Sequence, residues 1–258
     1  MTYAHGMGAP ERLVARPSLW TIIAAVAAVI VVSVVAFWGP WATPAATVAA
    51  GEDEAVVAAP PSPLDLPENA RVLIFGDSWT WGEAAAPGKG YAYEVADVTG
   101  WTTIVDGVRG SGYLRPGIDG ADFGTRIAQL DRWLAPDLIV VQGSINDRRL
   151  YPQNYREAVE RAWDRLADIF PDAQIVILGP APQVLPVEEA TALIDADLAD
   201  LAARRGWWYI SPIAENWITA ADYRDIIDTS AVGRDHPSTA GHRYLAERLA
   251  AAVAALSR

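Results

Sequence analysis

Cysteine is absent from the 258 residues, lysine occurs once, at Lys89, and histidine three times. Without cysteine there is no disulfide, no thiolate metal site, no thiol nucleophile and no lipid-modified amino-terminal cysteine, so the fold stands on its core alone. With a single lysine, Schiff-base chemistry has one candidate residue at most. Positive charge is also in short supply: 20 basic residues face 32 acidic ones, for a net charge of −12. A binder of nucleic acid needs a basic footprint, so that class of partner is excluded. No cofactor and no bound metal is expected.

Charge of either sign is missing from Pro17 to Gly51, and Leu19 to Trp38 is an apolar run. Its length, about 20 residues, is enough to cross a bilayer core of about 30 Å as a helix. Arg12 and Arg16 precede the run and Glu52, Asp53 and Glu54 follow it, which orients the amino terminus to the cytoplasm. The expected organisation is a short cytoplasmic segment over residues 1–18, a transmembrane signal anchor over 19–38, a Pro/Ala-rich linker over 39–68 and one domain over 69–258 on the far side of the membrane. The competing reading is a cleaved signal peptide, with small residues around Thr47 to Ala50 as the cleavage site; the length of the run favours the anchor.

From Arg71 onward, short β-rich runs alternate with helical stretches. The strands are Val72–Phe75, Thr102–Val105, Leu138–Val141, Ile175–Leu178 and Trp207–Ile210. Helices are expected around Ala92–Val98, Gly124–Leu134, Asn154–Ile169, Glu188–Arg204 and Thr239–Leu256. In the third of these, Tyr155, Val159, Ala162, Trp163, Leu166 and Ile169 fall on one stripe. Such alternation predicts an α/β domain with a parallel sheet of about five strands covered on both faces.

A sheet of this kind carries its site on the loops that follow the carboxyl ends of its strands. After the first strand comes Gly76-Asp77-Ser78, a tripeptide that by itself is also ordinary turn material. The second loop holds Gly107 to Gly112, and the third Gly143-Ser144-Ile145-Asn146-Asp147. A serine hydroxyl needs a base to become a nucleophile, and donors for the oxyanion that forms on attack. In the predicted domain only His236 and His242 can be that base. His236 precedes Pro237 on a loop, whereas His242 lies in the first turns of the last helix and reads as a surface or packing residue. Oxyanion donors are available from the Ser78 N–H, a glycine N–H of the second loop and the Asn146 amide. Asp77 and Asp147 read as structural hydrogen-bonders. Arg148-Arg149 fits either a substrate-facing cationic pair or a solvated approach to a helix.

These residues resemble the four ordered blocks of the SGNH/GDSL hydrolase superfamily: Gly76-Asp77-Ser78, a second-loop glycine, Gly143-x-x-Asn146-Asp147, and His236-Pro237 followed by Gly241. The resemblance spans about Arg71 to Arg258. It implies a flavodoxin-like three-layer α/β/α sandwich and a serine esterase, with Ser78 as nucleophile, His236 as base, and Ser78 N–H, Gly110 N–H and the Asn146 amide as the oxyanion hole. Gly112 is the alternative to Gly110. In that family an acid stands three residues before the histidine, and here the position is Gly233. Three arrangements supply an orienter: Asp235, which is favoured, Asp228 reaching back, or a Ser–His dyad helped by a backbone carbonyl.

The expected function is hydrolysis of a carboxylic ester through an acyl-serine, on an acylated cell-envelope glycan or a short-chain ester, with the membrane as the second partner. The alternatives are O-acyl transfer from the same site and a binding module that has kept the fold without catalysis.

Overall fold

The computed structural model describes residues 60–257. The expected cytoplasmic segment, the transmembrane helix 19–38 and most of the linker lie outside them, and among the described residues no helix is long and apolar enough to cross a membrane.

Five strands, β1 (Arg71–Gly76), β2 (Thr102–Gly107), β3 (Leu138–Gln142), β4 (Gln174–Leu178) and β5 (Trp208–Ile210), form one sheet in the order β2-β1-β3-β4-β5. Every neighbouring pair is parallel. This is the doubly wound order of flavodoxin-like folds. The helices are α1 (Ser78–Trp81), α2 (Tyr91–Thr99), α3 (Phe123–Ala128), α4 (Tyr155–Ile169), α5 (Glu189–Arg204), α6 (Tyr223–Ile226) and α7 (Thr239–Leu256). Two short strands, β6 (Ile227–Asp228) and β7 (His236–Pro237), pair antiparallel apart from the main sheet.

Successive side chains of a strand point to opposite faces, and the central strands supply two cores accordingly. Val72, Ile74, Leu138 and Val140 meet Ala92 and Val95 of α2 and Leu245, Leu249 and Val253 of α7. Leu73, Phe75, Ile139 and Val141 meet α3, α4 and α5 on the other side. Tyr155, Val159, Ala162, Trp163 and Leu166 are the buried residues of α4, the stripe legible in the sequence.

Two boundaries differ from expectation. The helix anticipated over Gly124–Leu134 ends at Ala128, and a separate 3₁₀ turn follows at Arg132–Leu134. Asp131 causes the break: its carboxylate accepts the Trp133 N–H at 2.9 Å, a local bond that competes with helix continuation. The compact domain also begins before residue 69. Leu64 is buried and its N–H donates to the Leu256 carbonyl at 2.8 Å, while the Ser62 carbonyl accepts the Trp208 indole N–H. The end of the linker is thus docked between α7 and β5.

Candidate active site

At the end of β1, Asp77 caps α1 by accepting the Trp79 N–H at 2.9 Å, which makes Ser78 the first residue of that helix. The helix sits tightly on the end of β2 because residue 107 is glycine: a Cβ there would lie 2.2 Å from the Trp81 nitrogen. Ser78 is 6% exposed, and its Oγ lies 2.9 Å from His236 Nε2.

His236 stands in β7, opposite Asp228 of β6. Its Nδ1 faces two peptide carbonyls, Arg234 at 2.9 Å and Gly233 at 3.1 Å. A proton on Nδ1 donates to them and leaves Nε2 as an acceptor for the serine hydroxyl, the tautomer a base requires. Burial holds the ring below its ordinary pKa of 6.5, opposed by the carbonyl contacts and the nearby Glu83 carboxylate.

The favoured orienter, Asp235, does not make that contact, and neither does Asp228, whose carboxylate accepts the Ser230 N–H at 2.9 Å. The reason lies in the hairpin between β6 and β7. A Cβ on Gly233 would lie 2.4 Å from the Asp228 carbonyl oxygen, so no acid fits at the family's position. Arg234 and Asp235 are then both left-handed, with φ of 50° and 59°, and the turn they form presents carbonyls to the ring instead.

Gly110, also left-handed at φ 73°, lines the same cleft as Ser78, Asn146 and His236. Gly112 does not line it. Its N–H donates to the Arg115 carbonyl at 2.9 Å, and a Cβ on it would meet the Asp147 carboxylate at 2.4 Å. Asn146, on a 3₁₀ turn at Ile145–Arg149, donates from Nδ2 to the Ser111 carbonyl at 3.0 Å and to Asp77 Oδ2 at 3.3 Å. Asp147 is structural, as expected: its carboxylate accepts the N–H groups of Tyr113 and Leu114, at 2.8 and 3.1 Å, and ties the second loop to the third. Burial pushes its pKa up to about 6 and raises that of Asp77 as well.

Three contributors escape a reading of the sequence. Buried Arg126 donates to the carbonyls of Gly76 and Asp106 and to the Ser111 hydroxyl, so it bolts the ends of β1 and β2 to the second loop. Its place in an amphipathic helix gave no signal of this. Glu83, 6% exposed, is paired with Arg234 and, at 3.7 Å, with Arg109. Of the two readings of His242, packing is the one observed, and the ring is fully buried with partners the sequence did not indicate: Nδ1 accepts the Tyr91 N–H at 3.1 Å and Nε2 donates to the Glu83 carbonyl at 3.0 Å. Burial takes its pKa down to about 4.

The cleft itself holds about 220 Å³ and is lined on its polar side chiefly by arginine. A buried serine hydrogen-bonded to a neutral histidine, at the carboxyl edge of a doubly wound sheet, defines a serine-hydrolase type of site. Residues 74–244 match the GDSL-like Lipase/Acylhydrolase family. A GDSL lipase of Mycobacterium tuberculosis is 30% identical over 190 residues, covering 69% of this chain and 79% of the relative. The chain therefore belongs to the GDSL-like lipase/acylhydrolase family, and it is an ester hydrolase of that type. Among solved structures, a carbohydrate acetylesterase family member from Sinorhizobium meliloti superposes with a TM-score of 0.55 at 17% identity, over 73% of this chain and 99% of that one. The native aryl esterase of M. smegmatis gives 0.54 at 18%, over 72% and 99%. At such identities the likeness is one of fold.

Proposed function

We propose that the protein cleaves a carboxylic ester through an acyl-Ser78 intermediate, with His236 as base. The observation that carries this reading is the 2.9 Å contact from Ser78 Oγ to His236 Nε2, with Nδ1 turned to two carbonyls. The proton of Ser78 passes to Nε2 as Oγ bonds to the ester carbon, and the Nδ1 side of the imidazolium rests on the Gly233 and Arg234 carbonyls. Negative charge on the former carbonyl oxygen meets the N–H groups of Ser78 and Gly110 and the Asn146 amide. The longer bond from Asn146 to Asp77 is the one an oxyanion replaces. Nε2 then returns its proton to the departing alkoxide, and a water activated by the same nitrogen releases the acid.

The substrate class fits a short acyl ester of a carbohydrate, in keeping with the open, polar cleft and with the acetylesterase that shares the fold. The apolar run 19–38 supports an anchor that keeps the domain at the outer face of a membrane, within reach of acylated envelope glycans. Acyl transfer to a sugar would use the same serine and differ only in the acceptor. The test is direct: the full chain in mild detergent hydrolyses 4-nitrophenyl acetate, and Ser78→Ala lowers the rate by at least about 1,000-fold. Retention of the rate in that variant overturns the proposal.

A further inference from the structure

Five arginines, Arg109, Arg115, Arg148, Arg149 and Arg234, line the cleft that contains Ser78 and His236, with Glu83 as the single acid among its lining residues. The chain as a whole is acidic at −12, so this concentration of positive charge runs against its composition. Gathering like charges costs free energy unless counter-charges offset it. Three of the five have such partners. Arg109 pairs with Asp119 at 2.5 Å, Arg148 with Glu188 at 2.7 Å, and Arg234 with Glu83. Arg115 and Arg149 form no ion pair within 4.0 Å among the described residues; the buried Asp147 carboxylate acts on Arg115 only from beyond that distance, so both guanidinium groups are left without a direct carboxylate partner in the cleft.

Their placement is fixed. Arg115 follows Tyr113 and Leu114, whose N–H groups are bound by the Asp147 carboxylate, and its own carbonyl accepts from Gly112. Arg149 closes the 3₁₀ turn that carries Asn146 and Asp147. One buried carboxylate thus sets the base of both arginines and of the second and third loops, on which Gly110 and Asn146 stand. Both side chains are exposed, and Arg115 and Arg149 come from two of the loops that surround the serine rather than from a helix flank facing solvent.

We propose that the ester taken by this site carries an anionic group, a carboxylate or a phosphate, bound by Arg115 and Arg149. The inference rests on Ser78 acting as an ester-hydrolysing nucleophile, and it adds a charge requirement to the substrate. Guanidinium groups match both oxyanions through charge-assisted, often bidentate hydrogen bonds.

Three esters with the same acyl group and the same scissile bond test it with the full chain: phenyl acetate, 4-acetoxybenzoate and 4-acetoxyphenyl phosphate. The anionic esters should show kcat/KM at least about tenfold above phenyl acetate, mainly through KM, and the larger of the two gains says whether carboxylate or phosphate is preferred. In Arg115→Gln/Arg149→Gln the preference should collapse toward unity; because it is a ratio taken within one protein, partial loss of folded enzyme cancels. Equal rates on neutral and charged esters, or an unchanged ratio in the double variant, would overturn the proposal. If no ester is turned over, the hydrolase reading fails, and calorimetry with phenyl phosphate still decides the anion site: binding weakened at least about tenfold in the double variant supports it, and equal binding rejects it.

Discussion

His236 directs Nδ1 at peptide carbonyls where the family pattern implies a carboxylate, and a carbonyl offers the imidazolium a dipole instead of a full charge. The position of the missing acid is closed sterically by the Asp228 carbonyl against Gly233. Since neither carboxylate touches the ring, Asp235→Asn and Asp228→Asn should each leave kcat within about threefold of wild type; a fall of two orders of magnitude in either would show that an acid swings in during turnover. The pH profile follows from the same surroundings. His236 works as a base only when neutral, and its pKa lies below 6.5, with burial the main cause. The acid limb of kcat/KM should therefore fall below pH 6.5. Glu83 raises this pKa and Arg234 lowers it, so Glu83→Gln should move the limb to still lower pH.

Among the elements, the contact between α1 and the end of β2 does most to aim the serine. Gly107→Ala would drive a methyl group into the Trp81 backbone nitrogen, which can be relieved only by moving α1. We expect a destabilisation of about 1–3 kcal/mol together with loss of kcat, measured by urea unfolding and ester hydrolysis; a loss of stability with full kcat would separate the helix position from catalysis. The strands and long helices were legible in the sequence because their patterns are local: a continuous apolar run of strand length in Val72 to Phe75 and a 3.6-residue stripe in α4. Ser78, Asn146 and His236 were legible because their chemistry is specific and their loops are ordered along the chain. The orienter of His236, the bolt formed by Arg126, the docking of Leu64 and the break at Asp131 were not, because each depends on a partner or a turn whose geometry no local pattern encodes.

For the molecule as a whole, stability and site share a buried histidine. Its pKa of about 4 against 6.5 means that the unfolded chain binds more protons at this position between those values. Its contribution is therefore fully present above pH 6.5 and lost as pH falls toward 4. Gln does not titrate, so the destabilisation caused by His242→Gln should be greatest near pH 7 and shrink by about 3 kcal/mol by pH 4; a pH-independent difference would place the ring elsewhere. The acidic whole and the cationic cleft complete the picture of a domain that attracts a charged ester to one face. The central claim is that Ser78 is the activated nucleophile, and the most direct measurement is mass spectrometry of the chain after treatment with a fluorophosphonate, whose phosphorus bonds to the attacking serine oxygen as fluoride leaves. A single adduct on the peptide containing Ser78, absent in Ser78→Ala and strongly slowed in His236→Ala, is the predicted result. An adduct on another residue, or none under conditions where the protein hydrolyses esters, would contradict it.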